Sequence, residues 1–296
     1  MSGARLRVLE PGPLLLVEDA GRHGRLALGV SPAGFADATA ARRANRLVGN
    51  PEDAAVLESL MGGVVLEVVG AAVILAVSGV VTVVESVGPD GRRLGRTAGA
   101  EAPISVPAGA VVRIAAPSAG LRAMIAVRGG VAVSPVLGSR SRDTLAGLGP
   151  APLAVGDVVP VGAAAVGWPE LDLAVVAPPP SADRELALPM RWGPRDDRLT
   201  EAGRAALLAP RVVSARGDRV GVRLDGPATV TTASPLPSEP TLAGAVEVPP
   251  DGVPIVLGRD HPTTVGYPVV AVVAPAGLDR LAQARPGTPV RLVPNR

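Results

Sequence analysis

Val68-Val69-Gly70-Ala71-Ala72-Val73-Ile74-Leu75-Ala76-Val77-Ser78-Gly79-Val80-Val81-Thr82-Val83-Val84 is a run of 17 residues without a charge. A membrane helix needs roughly 20 consecutive apolar residues. Here Gly70, Ser78, Gly79 and Thr82 interrupt the run, Glu67 and Glu85 close it, and valine dominates. β-Branched side chains suit a pleated backbone and glycines mark its turns, so the stretch predicts paired buried strands. No membrane partner is expected.

Working outward, the same texture recurs at Leu6–Leu9, Leu14–Val17, Val64–Val69, Ile104–Val106, Val111–Ala115, Ala123–Val127 and Val158–Val161. Asp37 can cap a helix ending at Gly49, with Ala41, Ala44, Asn45 and Val48 on one face. Asn50-Pro51-Glu52-Asp53 reads as a second helix start, with a cap, a proline at the first helical position and acids in the first turn. Pro169 to Pro189 holds Pro178-Pro179-Pro180 and no clear period, which predicts a linker over 169–189. The expected division is a β domain with a helix pair over 1–168 and a second β domain over 190–296. In the latter, a helix near Thr200–Leu208 precedes strands near Arg211–Val213, Val220–Leu224, Gly244–Val248, Ile255–Leu257 and Val269–Val273, then a helix at Leu278–Ala284 and a strand at Val290–Val293. The fold class expected is mainly β, with two β-barrel-like domains and a few short covering helices.

The chain has 296 residues, 47% of them apolar, which is ample for two packed cores. All 29 basic residues are arginine and cysteine is absent. Without lysine there is no Schiff base, P-loop lysine, biotin-acceptor lysine or Ser–Lys pair. Without cysteine there is no thiol nucleophile, disulfide or thiolate metal site. No metal site is expected. The net charge is only +2, so the isoelectric point near 10.2 records how little titrates above neutrality rather than a basic surface. Clustered arginines with stacking aromatics are missing, and no nucleic-acid partner is expected. The first twelve residues hold Arg5, Arg7 and Glu10 and no apolar run of signal-peptide length, which predicts a cytoplasmic protein.

Four polar clusters stand at turns between apolar elements. Glu18-Asp19-Ala20-Gly21-Arg22-His23-Gly24 is either a solvated hairpin or a place where Asp19 and Arg22 meet a small acid. Arg42, Asn45, Arg46, Asn50 and Glu58 surround the first helix, where Asn45 either satisfies backbone groups or faces a ligand. Gly138-Ser139-Arg140-Ser141-Arg142-Asp143-Thr144 has the loop amides and arginines of an anion cradle, though not of a P-loop. Arg259-Asp260-His261-Pro262-Thr263-Thr264-Val265-Gly266-Tyr267-Pro268 gathers Asp, His, two Thr and the lone Tyr. There His261 is either a proton-transfer group or a turn residue.

The strings RLVGNPEDAAVLE (Arg46–Glu58), PVLGSRSRDTLAGLG (Pro135–Gly149), GDRVGVRLDG (Gly217–Gly226), VPPDGVPIVL (Val248–Leu257), DHPTTVGYPVVAVV (Asp260–Val273) and LDRLAQARPG (Leu278–Gly287) together resemble the biotin-dependent carboxyltransferase-like family. Members of that family are also named as the C-type subunit of 5-oxoprolinase, as KipA or as allophanate hydrolase subunit 2. The resemblance covers nearly the whole chain and implies cyclophilin-like barrels and a heteromer with a KipI-like protein, the B-type subunit, and a third component. The implied activity is ATP-dependent opening of 5-oxoproline to glutamate. It also implies site roles: Arg140 and Ser141 for anion contacts, His261 for proton transfer with Asp260 orienting it, and Thr263, Thr264 and Tyr267 for substrate, joined by Asp19, Arg22 and Asn45. These roles require the stretches near 140 and 261 to converge. Two alternatives accompany this reading. One is a carboxyltransferase-like component of a urea or amide carboxylation system that receives biotin from a separate protein. The other is a non-catalytic regulatory subunit of the KipI-like protein. The chain departs from the family pattern at Glu18, His23-Gly24, Ser31–Phe35, Pro240 and Val265. Proline fixes φ and valine resists positive φ, so changed loop geometry is expected at the last two.

Overall fold

The opening stretch folds as the end of one strand, the whole of a second and the start of a third, with Gly70 and Gly79 at the breaks in left-handed conformations. The structure is a computed structural model and describes residues 3–98, 101–168, 173–232 and 236–295. It comprises two units. The first holds residues 1–22, 37–142 and 147–179; the second holds 23–36, 143–146 and 180–296. Two short excursions, His23–Ala36 and Asp143–Ala146, thus leave the N-terminal half of the chain and join the second unit. A linear division at 169–189 does not contain this exchange.

The first unit has strands β1 (Arg5–Pro11), β2 (Leu14–Glu18), β3 (Val56–Leu60), β4 (Val64–Val69), β5 (Val73–Ser78), β6 (Val83–Val87), β7 (Arg93–Ala98), β8 (Pro103–Val106), β9 (Val111–Ile114), β10 (Arg122–Val127) and β11 (Val158–Pro160), and helix α1 (Ala38–Leu47). They form a six-stranded sheet, β11-β1-β4-β9-β6-β7, and a five-stranded sheet, β2-β3-β10-β5-β8. Period-two alternation directs Leu6, Val8 and Leu66 from one sheet and Leu15, Leu75 and Ile125 from the other into a single core.

The second unit has strands β12 (Leu186–Trp192), β13 (Arg211–Val213), β14 (Gly221–Asp225), β15 (Glu239–Pro240), β16 (Ala245–Glu247), β17 (Ile255–Leu257), β18 (Thr264–Val265), β19 (Val269–Val273) and β20 (Pro289–Pro294), with helices α2 (Glu201–Leu208) and α3 (Pro275–Leu281). Seven strands close into a barrel in the order β12-β19-β16-β17-β14-β13-β20, which leaves no edge among them. β12 and β20 pair in parallel to close it. Leu207 of α2 and Leu278 and Leu281 of α3 add to the barrel core. The mainly β fold with two barrel-like units and short helices therefore holds.

Asp37 caps α1 by accepting from Ala40 N at 2.9 Å, and Thr200 caps α2 by accepting from Gly203 N. The second expected helix of the pair does not form. Asn50 binds Val127 O (2.8 Å) and Gly129 N (2.7 Å) instead of capping, residues 52–54 turn, and β3 follows. The reason is burial: β3 lies between β2 and β10 with four of its five residues buried, so no alternation betrays it as a strand. The expected linker also ends early, because β12 starts at Leu186; positions 169–172 lie outside the described residues. β7 is a polar edge strand that no valine run announces. Pro240 and Val265 sit in a two-stranded ribbon, pairing Glu239 with Val265 and Pro240 with Thr264, so Val265 is extended rather than left-handed. No helix among the described residues is long and apolar enough to cross a membrane.

Candidate functional site

In the second unit, Asp260 is fully buried and its carboxylate is saturated. Arg219 Nε and Nη2 reach its two oxygens at 2.9 and 3.1 Å, and Thr144 donates both its amide (2.9 Å) and its hydroxyl (2.6 Å) to Oδ2. Arg219 also donates to Gly34 O at 2.6 Å. One buried fork therefore fastens both excursions to the loop that carries His261. Gly258 lets that loop lie against Arg219, since a Cβ there would overlap the Arg219 carbonyl oxygen. Thr144, on the 143–146 excursion, makes that contact within the second unit, whereas Arg140 and Ser141 belong to the first.

His261 is 2% exposed. Its Nδ1 lies 2.8 Å from Pro262 O. A carbonyl only accepts, so Nδ1 carries the proton and Nε2 is the basic nitrogen. Burial pushes the imidazole below its ordinary value near 6.5; the Pro262 carbonyl and the charges of Asp143 and Asp260 oppose that fall. Burial thus favours the neutral form of the ring. The expected role of Asp260 needs correction: its lone pairs serve Arg219 and Thr144, not the ring. The carboxylate whose charge acts most on His261 is Asp143, fully buried, with Oδ1 accepting from Leu145 N and Ala146 N and Oδ2 bonded to nothing among the described residues. The sequence pattern singled out neither Asp143 nor Arg219. The place of Arg219 inside the Gly217–Gly226 string was the available signal for the second.

In the first unit, Asp19 Oδ1 accepts from Ser139 Oγ (2.5 Å), Ser141 Oγ (2.7 Å) and Gly21 N (2.8 Å), and Oδ2 accepts from Arg140 N at 2.6 Å. Arg22 donates to Ser141 O, and Arg140 Nε donates to Val133 O at 2.8 Å. Gly149, at φ +81°, passes so close that a Cβ would overlap the Ser141 carbonyl oxygen. Asp19, Arg22 and Ser141 thus build a loop by contacting one another, where a ligand contact was expected. Asn45 needs the same correction: its amide donates to Ala54 O (2.7 Å) and Glu52 O (3.3 Å) and accepts from Asn50.

A cleft of about 620 Å³ opens in the second unit. Its polar walls are Arg198, Thr229, Thr231, Thr232, Asp251 and Tyr267. Val230, Val248, Pro249 and Pro268 supply apolar surface. Arg211 fixes one wall, donating to Pro227 O and Thr229 Oγ1 at 2.7 and 2.6 Å. Burial without a carboxylate partner pushes that guanidinium down to about 10. Of the residues expected at a substrate site, only Tyr267 lines this cleft. Thr264 is exposed on β18, and Thr263 accepts from Thr241 N through its carbonyl. No group of three or more His, Asp or Glu among the described residues could hold a metal ion.

Comparison with known proteins completes the picture. Residues 28–294 match the family model described as carboxyltransferase domain, subdomain A and B. The chain is 33% identical over 304 residues to the C-type subunit of 5-oxoprolinase from Escherichia coli K12, covering 97% of this chain and 90% of that protein. Its fold superposes on the crystal structure of TTHA0988 with a TM-score of 0.83 at 35% identity, over 98% of this chain but only 55% of the other. On Kluyveromyces lactis urea carboxylase the TM-score is 0.85 at 26% identity, over 99% of this chain and 27% of that one. With the match running through the 139–141 loop, the Asp260 knot and the barrel alike, this chain belongs to the carboxyltransferase domain family, subdomains A and B, and is a homologue of the C-type subunit of 5-oxoprolinase.

Proposed function

We propose that this chain is the C-type subunit of a cytoplasmic, ATP-dependent 5-oxoprolinase that opens 5-oxoproline to glutamate together with a KipI-like partner and a third component. The observation that supports this reading is coverage: the chain matches 90% of the length of the C-type subunit of 5-oxoprolinase from Escherichia coli, whereas it covers only 27% of the urea carboxylase chain.

Resonance makes a lactam carbonyl a poor electrophile, and phosphorylation of its oxygen by ATP supplies a leaving group. Stabilising that step calls for cations and loop amides. Arg22 and Arg219 already donate to internal acceptors, and the chain has no lysine. In this reading ATP is held at a surface that the partner completes, and this chain contributes His261 as proton acceptor. Carboxyl transfer is the second reading, favoured by the family description and the likeness to urea carboxylase. Under it, biotin arrives on another protein, because a lysine-free chain cannot carry it.

The test is co-purification with a KipI-like partner and a third component, followed by 5-oxoproline-dependent ATP hydrolysis. His261→Gln should lower the rate by about 10²–10⁴-fold. Absence of any complex, or of substrate-stimulated hydrolysis in it, overturns the hydrolase reading. Loss of activity on avidin treatment selects the carboxyl-transfer reading.

A further inference from the structure

Asp143 holds a carboxylate that the fold uses only in part. It opens the segment Asp143–Ala146, which joins the second unit while the chain on either side stays in the first. Its Oδ1 accepts from Leu145 N at 3.0 Å and from Ala146 N at 2.9 Å, so the side chain is fixed over its own turn. Its Oδ2 is fully buried and has no partner among the described residues. A buried carboxylate oxygen without a donor is costly, and a positive charge close by is what offsets it.

Hydrogen bonds between the two segments select the group that can supply that charge. Thr144 gives its amide (2.9 Å) and its hydroxyl (2.6 Å) to Asp260 Oδ2. These bonds hold residue 144 against residue 260, and Asp143 and His261 each lie one residue from that junction. The other charges around the ring are already engaged. Asp260 is forked by Arg219 at 2.9 and 3.1 Å, and Arg259 is paired with Asp279 at 2.8 Å. Although Asp260 adjoins His261 in the chain, the charge of Asp143 supports the protonated ring more strongly. Nδ1 is committed to Pro262 O at 2.8 Å, which leaves Nε2 to collect a proton.

We propose that Asp143 is the positioning residue for His261, its free Oδ2 serving as counter-charge to the imidazolium that forms when Nε2 takes a proton. In that step the Nε2 lone pair becomes the new N–H bond. The reacting O–H or N–H loses its proton and keeps the electron pair, and Asp143 remains a carboxylate throughout. A charge held ready for the imidazolium makes the neutral ring a stronger base than burial alone would leave it. Use of the ring in catalysis rests on the function proposed above; the coupling of Asp143 to the ring does not.

Asp143→Asn tests the assignment, because asparagine keeps an Oδ1 for the Leu145 and Ala146 amides and removes the charge. In a full chain carrying His23→Gln, which leaves His261 as the one histidine, NMR titration of the ring should show its proton held about tenfold more weakly in Asp143→Asn. With Asp143 in place, the carboxyl carbon resonance of that residue should step at the pH where the ring titrates, a readout that needs no altered Asp143. An unmoved ring, or a carboxyl resonance indifferent to the ring, overturns the proposal. In the assembled complex the acid limb of the pH–rate profile should move to lower pH by the same factor. Its plateau kcat should fall about threefold with KM unchanged, as Brønsted behaviour requires of a weaker base. A ring that shifts while turnover and its pH profile stay put overturns Asp143 as a positioning residue. A ring that shifts in a complex without activity supports the coupling and refutes the hydrolase reading alone.

Discussion

Two buried carboxylates organise the two units, and they do so with different donors. Asp19 gathers two serine hydroxyls and two loop amides, all neutral. Asp260 gathers a guanidinium fork and a threonine. A carboxylate held by neutral donors is fixed through many modest hydrogen bonds, each replaceable. A carboxylate paired with a buried arginine carries a liability, since removal of either partner strands the other's charge in a low-dielectric interior. The first unit's loop should therefore fail gradually and the second unit's knot abruptly.

Trp192 packs on the barrel core of the second unit and follows its unfolding in a Trp168→Phe background, Trp168 being 75% exposed. Asp260→Asn should cost about 3–5 kcal/mol in urea unfolding read by Trp192, and Arg219→Met combined with Asp260→Leu should recover much of it. An equal loss from Asp260→Asn and Asp260→Leu with Arg219→Met would break the comparison. Ser139→Ala and Ser141→Ala, read by hydrogen exchange of the Arg140 amide that donates to Asp19, should each cost about 1–1.5 kcal/mol. A single serine change as damaging as Asp260→Asn would show that the loop is not shared among independent bonds.

Glu247 sharpens the point with the opposite sign. It is buried on β16, its Oε2 has no partner among the described residues, and burial raises its pKa against the pull of Arg223. The unfolded carboxylate ionises near 4.5 and the folded one only at higher pH, so this group's contribution declines as pH rises through that window. Glu247→Gln should gain about 1 kcal/mol at neutral pH, seen as a rise in Tm. His261 behaves in reverse. Below about 6.5 the unfolded chain takes up a proton that the buried neutral ring refuses, so stability falls as pH falls until the depressed folded value is reached. His261→Gln should flatten that slope. Asp143→Asn should lower the imidazole pKa further, read by NMR titration of the ring, because Asp143 supports the charged form.

Much of the fold was legible because local chemistry and tertiary need agreed. Val64–Val69, Arg211–Val213, Ile255–Leu257 and Val269–Val273 are strands at the boundaries read from valine runs and turn residues, and Asp37 and Thr200 cap the helices they announce. Asn50-Pro51-Glu52-Asp53 misled because its cap residue found better partners in Val127 and Gly129, far along the chain. β12 misled because its Leu-x-Leu-x-Met alternation follows a proline-rich approach.

The site was legible as neighbourhoods and not as roles. The sequence by itself determined that thiol, lysine and thiolate-metal chemistry are closed to this chain, and that valine-rich runs must pair as strands, because composition and side-chain shape act locally. Only the tertiary structure decided that Asp260 serves Arg219, that Asp143 is the carboxylate acting most strongly on His261, and that Arg198 has no partner among the described residues. The physical reason is that a polar group's role depends on which donors and acceptors share its buried space, and folding brings those from positions as distant as 144 and 260.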